Sequence, residues 1–389
     1  MCGYRETSLL CNQFCFIRSA FHEGLCTNSI MNIVLVRRGY SRTGGAENYL
    51  KRLGRALVER GYGTKLYTTE EWPEAEWPYG PLTRFKASTP WDFAQEIQRI
   101  QKSGEILFSL DRVFACNCYR AGDGVHRVWL ERRIAHEPPW RSRFRFLNPK
   151  HRQILELERS LFGRAGAKKV IANSKLVKNE IVREFGYSSD DITLIYNGLP
   201  PVELKAESRS RLEVRREWEI RDEEIAVLFA GSGWERKGLN YALEAVRPTK
   251  KENIRLFVAG SGTKPANIPK NVRFLGPVAD MRSVYAASDL FLLPTIYDPF
   301  SNACLEALSF GMPVITTASN GFAEIVESGV HGQIIDRPSD TGAIRKALED
   351  WSAPARRDAA KQKCVDLASQ FSMDGNVKQT LEVLESFAR

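Results

Sequence analysis

The chain has 389 residues, with Lys+Arg 56 against Asp+Glu 47, a formal net charge of +9, 43% hydrophobic and 26% charged residues. This composition excludes a disordered, a collagen-like or a membrane-spanning chain, and the length suffices for two domains with a core each. No apolar run reaches the ~18–20 residues that span a bilayer, and eight cysteines without zinc-type pairing exclude a disulfide scaffold and point to a reducing compartment.

Residues 1–30 hold four of the cysteines and no regular period; they read as a disordered extension or as sequence upstream of a start at Met31. From Met31 strands and helices alternate. Asn32–Val36 predicts a buried strand, and Ala46–Arg60 a helix with Tyr49, Leu50, Leu53, Leu57 and Val58 on one face, ending at Gly61. Thr64–Thr68, Ile106–Ser109 and Lys169–Ala172 read as further strands, whereas Cys116 and Cys118 read as ordinary reduced cysteines. A strand at Leu194 runs into Asn-Gly and Pro-Pro, the strongest punctuation in the chain. The pattern then restarts: strands at Ile225–Ala230, Leu256–Ala259, Val272–Leu275, Leu290–Pro294 and Pro313–Thr316 alternate with helices at Leu239–Val246, Met281–Ala287 and Ser301–Phe310, then a helical turn at Ala323–Glu327. The expected fold is α/β: two doubly wound, Rossmann-like parallel-sheet domains, 31–200 and 201–372, with a last helix over 373–389.

Charge is uneven along the chain. Residues 31–200 carry 29 Lys+Arg and 19 Asp+Glu, whereas 201–389 carry 25 and 26. The densest stretch, 127–152, interleaves eight Lys/Arg with Trp129, Trp140, Phe144 and Phe146. Such a face suits an anionic membrane surface or a phosphate-bearing partner, and equally a solvated basic loop. Nucleic acid would also answer to the charge, but no nucleic-acid-binding motif accompanies it.

Three loops after strands carry candidate chemistry, because open α/β sheets bind ligands beyond the carboxyl ends of their strands. In RRGYSRTGGAE (37–47), Gly44 and Gly45 let a helix N-terminus approach a phosphate, or simply make a tight turn. No GxGxxG follows any strand, which disfavours a dehydrogenase. In GSGWERKG (231–238), Arg236 and Lys237 combine a planar fork with a point charge suited to a diphosphate. In TIYDPFSNACLEAL (295–308), Asp298 lies in a loop and Glu306 inside the following helix, with the amides of Ser301–Ala303 at that helix's N-terminus. Sugar hydroxyls, a phosphate and a ribose diol would match this set; a capped turn and an ion pair would match it too.

In order, GGAE (44–47), ANS (172–174), NG (197–198), RKG (236–238), AGSG (259–262) and DPFSNACLE (298–306) resemble the retaining glycosyltransferases of family 4, which have the GT-B fold of two such domains facing across a cleft. DGVHRVWLERR (123–133) is similar to a stretch of the lipopolysaccharide-core group. The resemblance implies a nucleotide-sugar donor, UDP-glucose or a relative, and an anionic glycolipid acceptor. It assigns Arg236 and Lys237 to the donor diphosphate, Glu306 to the donor ribose and Gly45 to the neighbourhood of the diphosphate. Asp298 takes the place of the family's first Glu against the donor sugar, one methylene shorter. His126 would approach the donor sugar, Phe300, Ser301, Asn302 and Ala303 would line sugar and phosphate with amides, and Val278 would edge the base pocket. Catalysis would rest on Asp298, Arg236, Lys237 and His126, with no metal or cofactor, since no Asp-x-Asp stands beside the diphosphate loops. Arg132, Arg133, Trp140, Arg141, Arg143 and Arg145 would meet the acceptor or the membrane. The protein would be cytoplasmic and peripheral on the inner face of the plasma membrane, with no nucleic-acid partner. A capsule or exopolysaccharide acceptor, or a non-catalytic nucleotide-sugar or polyanion binding module, are the alternatives.

Overall fold

The computed structural model describes residues 32–41, 45–102, 104–137, 148–200, 209–247 and 253–387. The expectations for residues 1–30, Trp140, Arg141, Arg143 and Arg145 lie outside the described residues.

The first domain runs β1 (Asn32–Val36), α1 (Gly45–Glu59), β2 (Gly63–Thr69), β3 (Leu82–Phe85), α2 (Pro90–Ile100), β4 (Glu105–Ser109), β5 (Cys116–Ala121), α3 (His126–Ile134), α4 (Pro149–Leu161), β6 (Ala167–Ala172), α5 (Lys175–Phe185) and β7 (Ile192–Leu194). Its seven strands are parallel in the order β3-β2-β1-β4-β5-β6-β7. The second domain runs α6 (Arg211–Glu217), β8 (Ile225–Ala230), α7 (Leu239–Ala245), β9 (Ile254–Ala259), β10 (Val272–Gly276), α8 (Met281–Ala287), β11 (Leu290–Leu293), α9 (Asn302–Ser309), β12 (Val314–Thr317), β13 (Gly332–Ile335), α10 (Thr341–Trp351) and α11 (Pro354–Ser369), followed by α12 (Met373–Glu385). Its six strands are parallel in the order β10-β9-β8-β11-β12-β13.

The local reasons are plain in the sequence. IAVLFA of β8 and LFLL of β11 are buried throughout, as strands covered by helices on both faces must be. Thr89, Pro90 and Asp92 form a capping box with proline at the first helical position, which starts α2. On α1, Tyr49, Leu50, Leu53 and Leu57 are buried, but Val58 is 46% exposed because it lies about 100° round the helix from Leu57, off the stripe. The strand read at Leu194 ends there; Ile195 N–H still donates to the Ala172 carbonyl at 2.9 Å, and the chain beyond it leaves the sheet. β5 escaped the periodicity because CNCYRA carries little apolar alternation, although five of its six residues are buried.

Strand order reverses between β1 and β4 in one sheet and between β8 and β11 in the other. Those switch points open crevices at the carboxyl ends of the strands, where the loops after β1, β8 and β11 lie. Helix α12 belongs spatially to the first domain: Val377, Leu381 and Leu384 share a core with Leu50, Leu53 and Leu57, and Tyr49 Oη donates to Thr380 Oγ1 at 3.0 Å. The chain thus crosses between the sheets twice, and the crossings are hydrogen-bonded: Leu199 N–H to the Phe371 carbonyl (2.8 Å) and Met373 N–H to the Leu199 carbonyl (2.7 Å). A Cβ on Gly198 would fall 2.2 Å from the Ser372 carbonyl oxygen, so only glycine lets the two crossings touch. The expected boundary at 200/201 abuts residues 201–208, which are outside the described residues. Among the described residues no helix is long and apolar enough to cross a membrane.

Leu381→Ala tests the return of α12. Loss of this buried side chain costs about 2–5 kcal/mol, and hydrogen exchange should rise in α1 and α12 while β8 and β9 stay protected. Faster exchange in β8 and β9 instead would assign α12 to the second domain.

Candidate active site

The second domain's switch point brings two sequence-distant loops into contact. Gly238 takes a left-handed conformation (φ 78°) to start α7, and a Cβ there would lie 1.9 Å from the Pro294 carbonyl oxygen. The loop after β8 therefore lies flush on the loop after β11, where the Arg236 carbonyl accepts from Ile296 N–H (2.9 Å) and Thr295 Oγ1 (2.9 Å). This lock aims Lys237 Nζ at Asp298 Oδ2, and the two form an ion pair. Asp298 is 4% exposed, and its backbone is held from both sides, donating to the Ser319 carbonyl (3.1 Å) and accepting from Gly321 N–H (2.9 Å). The Arg236 guanidinium is half-buried and has no side-chain partner among the described residues.

Helix α9 begins beside this pair. Ser301 is its N-cap without a side-chain cap, and the Ser301 amide donates to Asn320 Oδ1 at 3.2 Å. The expectation that Ser301 offers its amide to a ligand is corrected accordingly: the donors without an intrahelical acceptor are those of Asn302, Ala303 and Cys304. Phe300 is a core residue, with ring centroids 5.8 Å from Tyr196 and 5.9 Å from Phe322. Asn302 reaches across to the first domain, its Oδ1 accepting from Asn197 Nδ2 at 2.8 Å, and Gly45 faces it, with a Cβ there falling at ordinary contact distance, 3.6 Å, from Asn302 Nδ2. Gly45, Arg120, Asp123, Asn197, Asn302 and Asn376 line a cavity of about 150 Å³ between the domains. One turn into α9, Glu306 Oε2 accepts from Tyr285 Oη at 2.8 Å, and burial pushes the Glu306 carboxyl above its ordinary range. Val278 is half-buried in the loop after β10, against the second domain's core.

Three expected residues are placed otherwise than the sequence suggested. His126 opens α3, but its Nε2 lies 3.0 Å from His151 Nδ1, so the ring is engaged within the first domain and no contact joins it to Asp298 or Lys237. Burial first, then Arg112 and His151, push its pKa down to about 3, which keeps the imidazole neutral. Arg132 donates to Glu180 Oε1 (3.0 Å), and Arg133 pairs with Glu137 and with Glu235 of the second domain (3.1 Å). Neither is a free cation on an open basic face; both are neutralised where the domains meet.

Residues not anticipated complete the site. Tyr285 and Asn320 orient Glu306 and the start of α9, Asn197 bridges to Asn302, and Tyr297 leaves the loop after β11 for the first domain. Asn197 and Tyr297 stood inside quoted motifs, yet only their proximity in space shows what they hold; for Tyr285 and Asn320 no sequence signal exists.

Comparison with known proteins places both halves. Residues 43–203 match the glycosyltransferase family 4 domain and residues 224–353 the glycosyl transferases group 1 domain. The chain is similar to an uncharacterised glycosyltransferase of Methanocaldococcus jannaschii (28% identical over 55% of this chain and 59% of that protein). It is also similar to lipopolysaccharide glucosyltransferase WaaG of Escherichia coli (22%, over 84% and 94%) and to the lipopolysaccharide core biosynthesis glycosyltransferase LpsE of Rhizobium meliloti (30%, over 41% and 49%). The chain thus spans about three fifths of the archaeal relative and half of LpsE. Among solved structures, WaaG superposes with a TM-score of 0.73 (19% identical, covering 90% of this chain and 99% of that one). Anabaena HepE in complex with UDP-glucose superposes with 0.62 (19%, 92% and 100%). These likenesses show the fold: two parallel sheets in the GT-B arrangement.

The His126 environment makes a pH prediction. The imidazole is neutral in the fold down to about 3 but titrates near ~6.5 in the unfolded chain, so between these values the unfolded state binds more protons. Stability therefore falls as pH drops through this window, by up to about 1.4 kcal/mol per pH unit for one proton. In His126→Gln, urea titrations from about pH 6 down to about pH 4 should show a shallower loss; an unchanged slope would contradict the buried neutral ring.

Proposed function

Since the chain belongs to the GT-B glycosyltransferases of family 4, we propose that it moves a hexose, glucose in the first instance, from a UDP-sugar to a lipopolysaccharide-core or related anionic glycolipid, with retention at the anomeric carbon and without a metal ion. The observation that carries this reading is what gathers around the start of α9: the Lys237–Asp298 pair in the loop before it, Arg236 beside Lys237 with no side-chain partner among the described residues, the open amides of its first turn with Gly45 across from Asn302, and Glu306 one turn in. The lipopolysaccharide acceptors for which WaaG and LpsE are named support the acceptor class, and the UDP-glucose held by HepE supports the donor.

The residues suit this chemistry. Arg236 and Lys237 offer a fork and a point charge to the diphosphate, and the start of α9 adds aligned amides carrying partial positive charge. Glu306 keeps one carboxylate oxygen on Tyr285 and offers the other to a ribose hydroxyl. Asp298, ion-paired and fixed by its backbone, accepts from hydroxyls of the donor sugar. In a front-face displacement the acceptor hydroxyl bonds to the anomeric carbon as the bond to the diphosphate oxygen breaks, and that oxygen takes the hydroxyl proton. No protein nucleophile is then required, and stabilising the departing diphosphate is the main task, which falls to Arg236, Lys237 and α9. Closure of the two domains excludes water that would hydrolyse the donor. Of the residues first assigned to the acceptor or membrane, Trp140, Arg141, Arg143 and Arg145 are left to contact an anionic inner leaflet from the cytoplasmic side.

Calorimetric titration of the full chain with UDP-glucose, against ADP-glucose and GDP-mannose, tests the donor: selective UDP-glucose binding that survives a chelator is expected. Glu306→Ala should weaken UDP binding roughly 10–100-fold, the value of a hydrogen bond to a charged group; unchanged affinity would remove Glu306 from the ribose. Donor binding with no turnover on any core, capsule or exopolysaccharide acceptor would favour a binding module. Replacing Arg141, Arg143 and Arg145 together by Gln should cut attachment to phosphatidylglycerol vesicles by about 1 kcal/mol per charge and leave UDP affinity unchanged; full attachment would place the docking face elsewhere.

A further inference from the structure

Tyr297 belongs to the second domain by sequence and to the first by packing. It directly precedes Asp298 in the loop after β11, where successive side chains point to opposite sides of the extended backbone. Asp298 turns to Lys237, whereas Tyr297, 1% exposed, sits in the first domain's core with Val125, Val128, Val177 and Ile181. Its hydroxyl donates to Glu180 Oε2 at 2.6 Å and accepts from Val125 N–H at 2.9 Å. Arg132 completes the seat, donating to Glu180 Oε1 at 3.0 Å with its guanidinium 5.3 Å from the centre of the tyrosine ring. The first domain is shaped around this side chain: Gly124 has φ +68°, and a Cβ there would lie 2.3 Å from Tyr297 Oη and 2.7 Å from Pro299 Cγ.

Two polar groups in the seat depend on the docked arrangement. Glu180 is a buried carboxylate, and with Tyr297 withdrawn it loses the hydroxyl donor and keeps the hydrogen bond from Arg132, while the Val125 amide loses its acceptor. The same helix, α5, is held a second time, because Glu324 of the second domain accepts from the Lys175 and Leu176 amides at its N-terminus (2.7 and 3.2 Å). Pro299, which follows Asp298, is pressed between Gly124 and Gly321. The segment that carries Asp298 is therefore referenced to the acceptor-side domain and not only to its own.

We propose that Tyr297 is a positioning residue that couples domain docking to catalysis: seated between Val125 and Glu180, it registers Asp298 against the donor site only when the two domains face each other. This rests on the transferase reading above. Its consequence is that a donor bound to the undocked second domain meets an Asp298 that is not yet in register, so the sugar is transferred, not lost to water.

The test compares wild type, Tyr297→Phe, Glu180→Gln and Glu180→Ala. Tyr297→Phe keeps the ring and removes the two hydrogen bonds. UDP affinity by calorimetry should stay within twofold, while kcat for transfer from UDP-glucose to heptose-terminated lipopolysaccharide core falls at least tenfold and the ratio of donor hydrolysis to transfer rises. Glu180→Ala should match it, Glu180→Gln, which still accepts from the hydroxyl, should recover part of the rate, and Tyr297→Phe with Glu180→Ala should be no worse than either alone, as for one shared interaction. Unchanged kcat, UDP affinity falling in step with kcat, or multiplied losses in the double variant would each overturn the assignment. Hydrogen exchange keeps this separate from the transferase reading. Whatever the wild type transfers, Tyr297→Phe should speed exchange across residues 122–128 and leave β8 and β9 unchanged; no change at 122–128 also overturns it.

Discussion

Two strands of chain pass between the sheets, and they pass together. Leu199 is hydrogen-bonded to Phe371 on one side and to Met373 on the other, at a point where Gly198 leaves no room for a side chain. This doubled crossing sends the last helix back onto α1 and sets the carboxyl ends of one parallel sheet opposite those of the other. A parallel sheet places its variable loops at one edge, so two sheets joined in this way must face loop to loop. The cleft, the cavity between Gly45 and Asn302, and the neighbourhood of Asp298 all follow from that constraint.

Within the cleft, charge is distributed by what each group already holds. Lys237 and Asp298 neutralise one another, Glu306 is pressed towards its neutral form by burial and held by Tyr285, and Arg236 alone among these keeps an uncommitted side chain. An anion arriving at α9 thus meets one guanidinium without a side-chain partner among the described residues, one lysine shared with a carboxylate, and the open end of a helix. Burying two like charges unpaired would be costly; pairing one with Asp298 and leaving the other half-buried gives a site that stays stable without its ligand. The same economy operates between the domains. Arg132 and Arg133 contribute to the basic excess of the first half of the chain, yet Glu180, Glu137 and Glu235 account for them. Counting charge along a sequence measures supply and not availability, which is why these two residues looked like a docking surface.

Much of this architecture is written locally. The bounds of β1, β8 and α8 were legible to the residue, because continuous β-branched runs and a capped apolar stripe depend only on near neighbours. The Gly-rich and charged loops after strands pointed to the two switch points, and the motifs GGAE, RKG and DPFSNACLE led to the right family. The sequence alone therefore determined two doubly wound parallel-sheet domains and their family, and it singled out Arg236, Lys237, Asp298 and Glu306 as charged residues in or just after the loops that follow β8 and β11.

Tertiary structure decided who touches whom. Ser301 was expected to offer its amide to a ligand, but Asn320, nineteen positions on, takes it. His126 faces His151, and Tyr297 seats its hydroxyl on Glu180, 117 positions away. Such pairings have no periodicity to betray them. Helical and strand patterns repeat because a local backbone geometry repeats, whereas a hydrogen bond between remote side chains exists only once the packing of two sheets has fixed both ends.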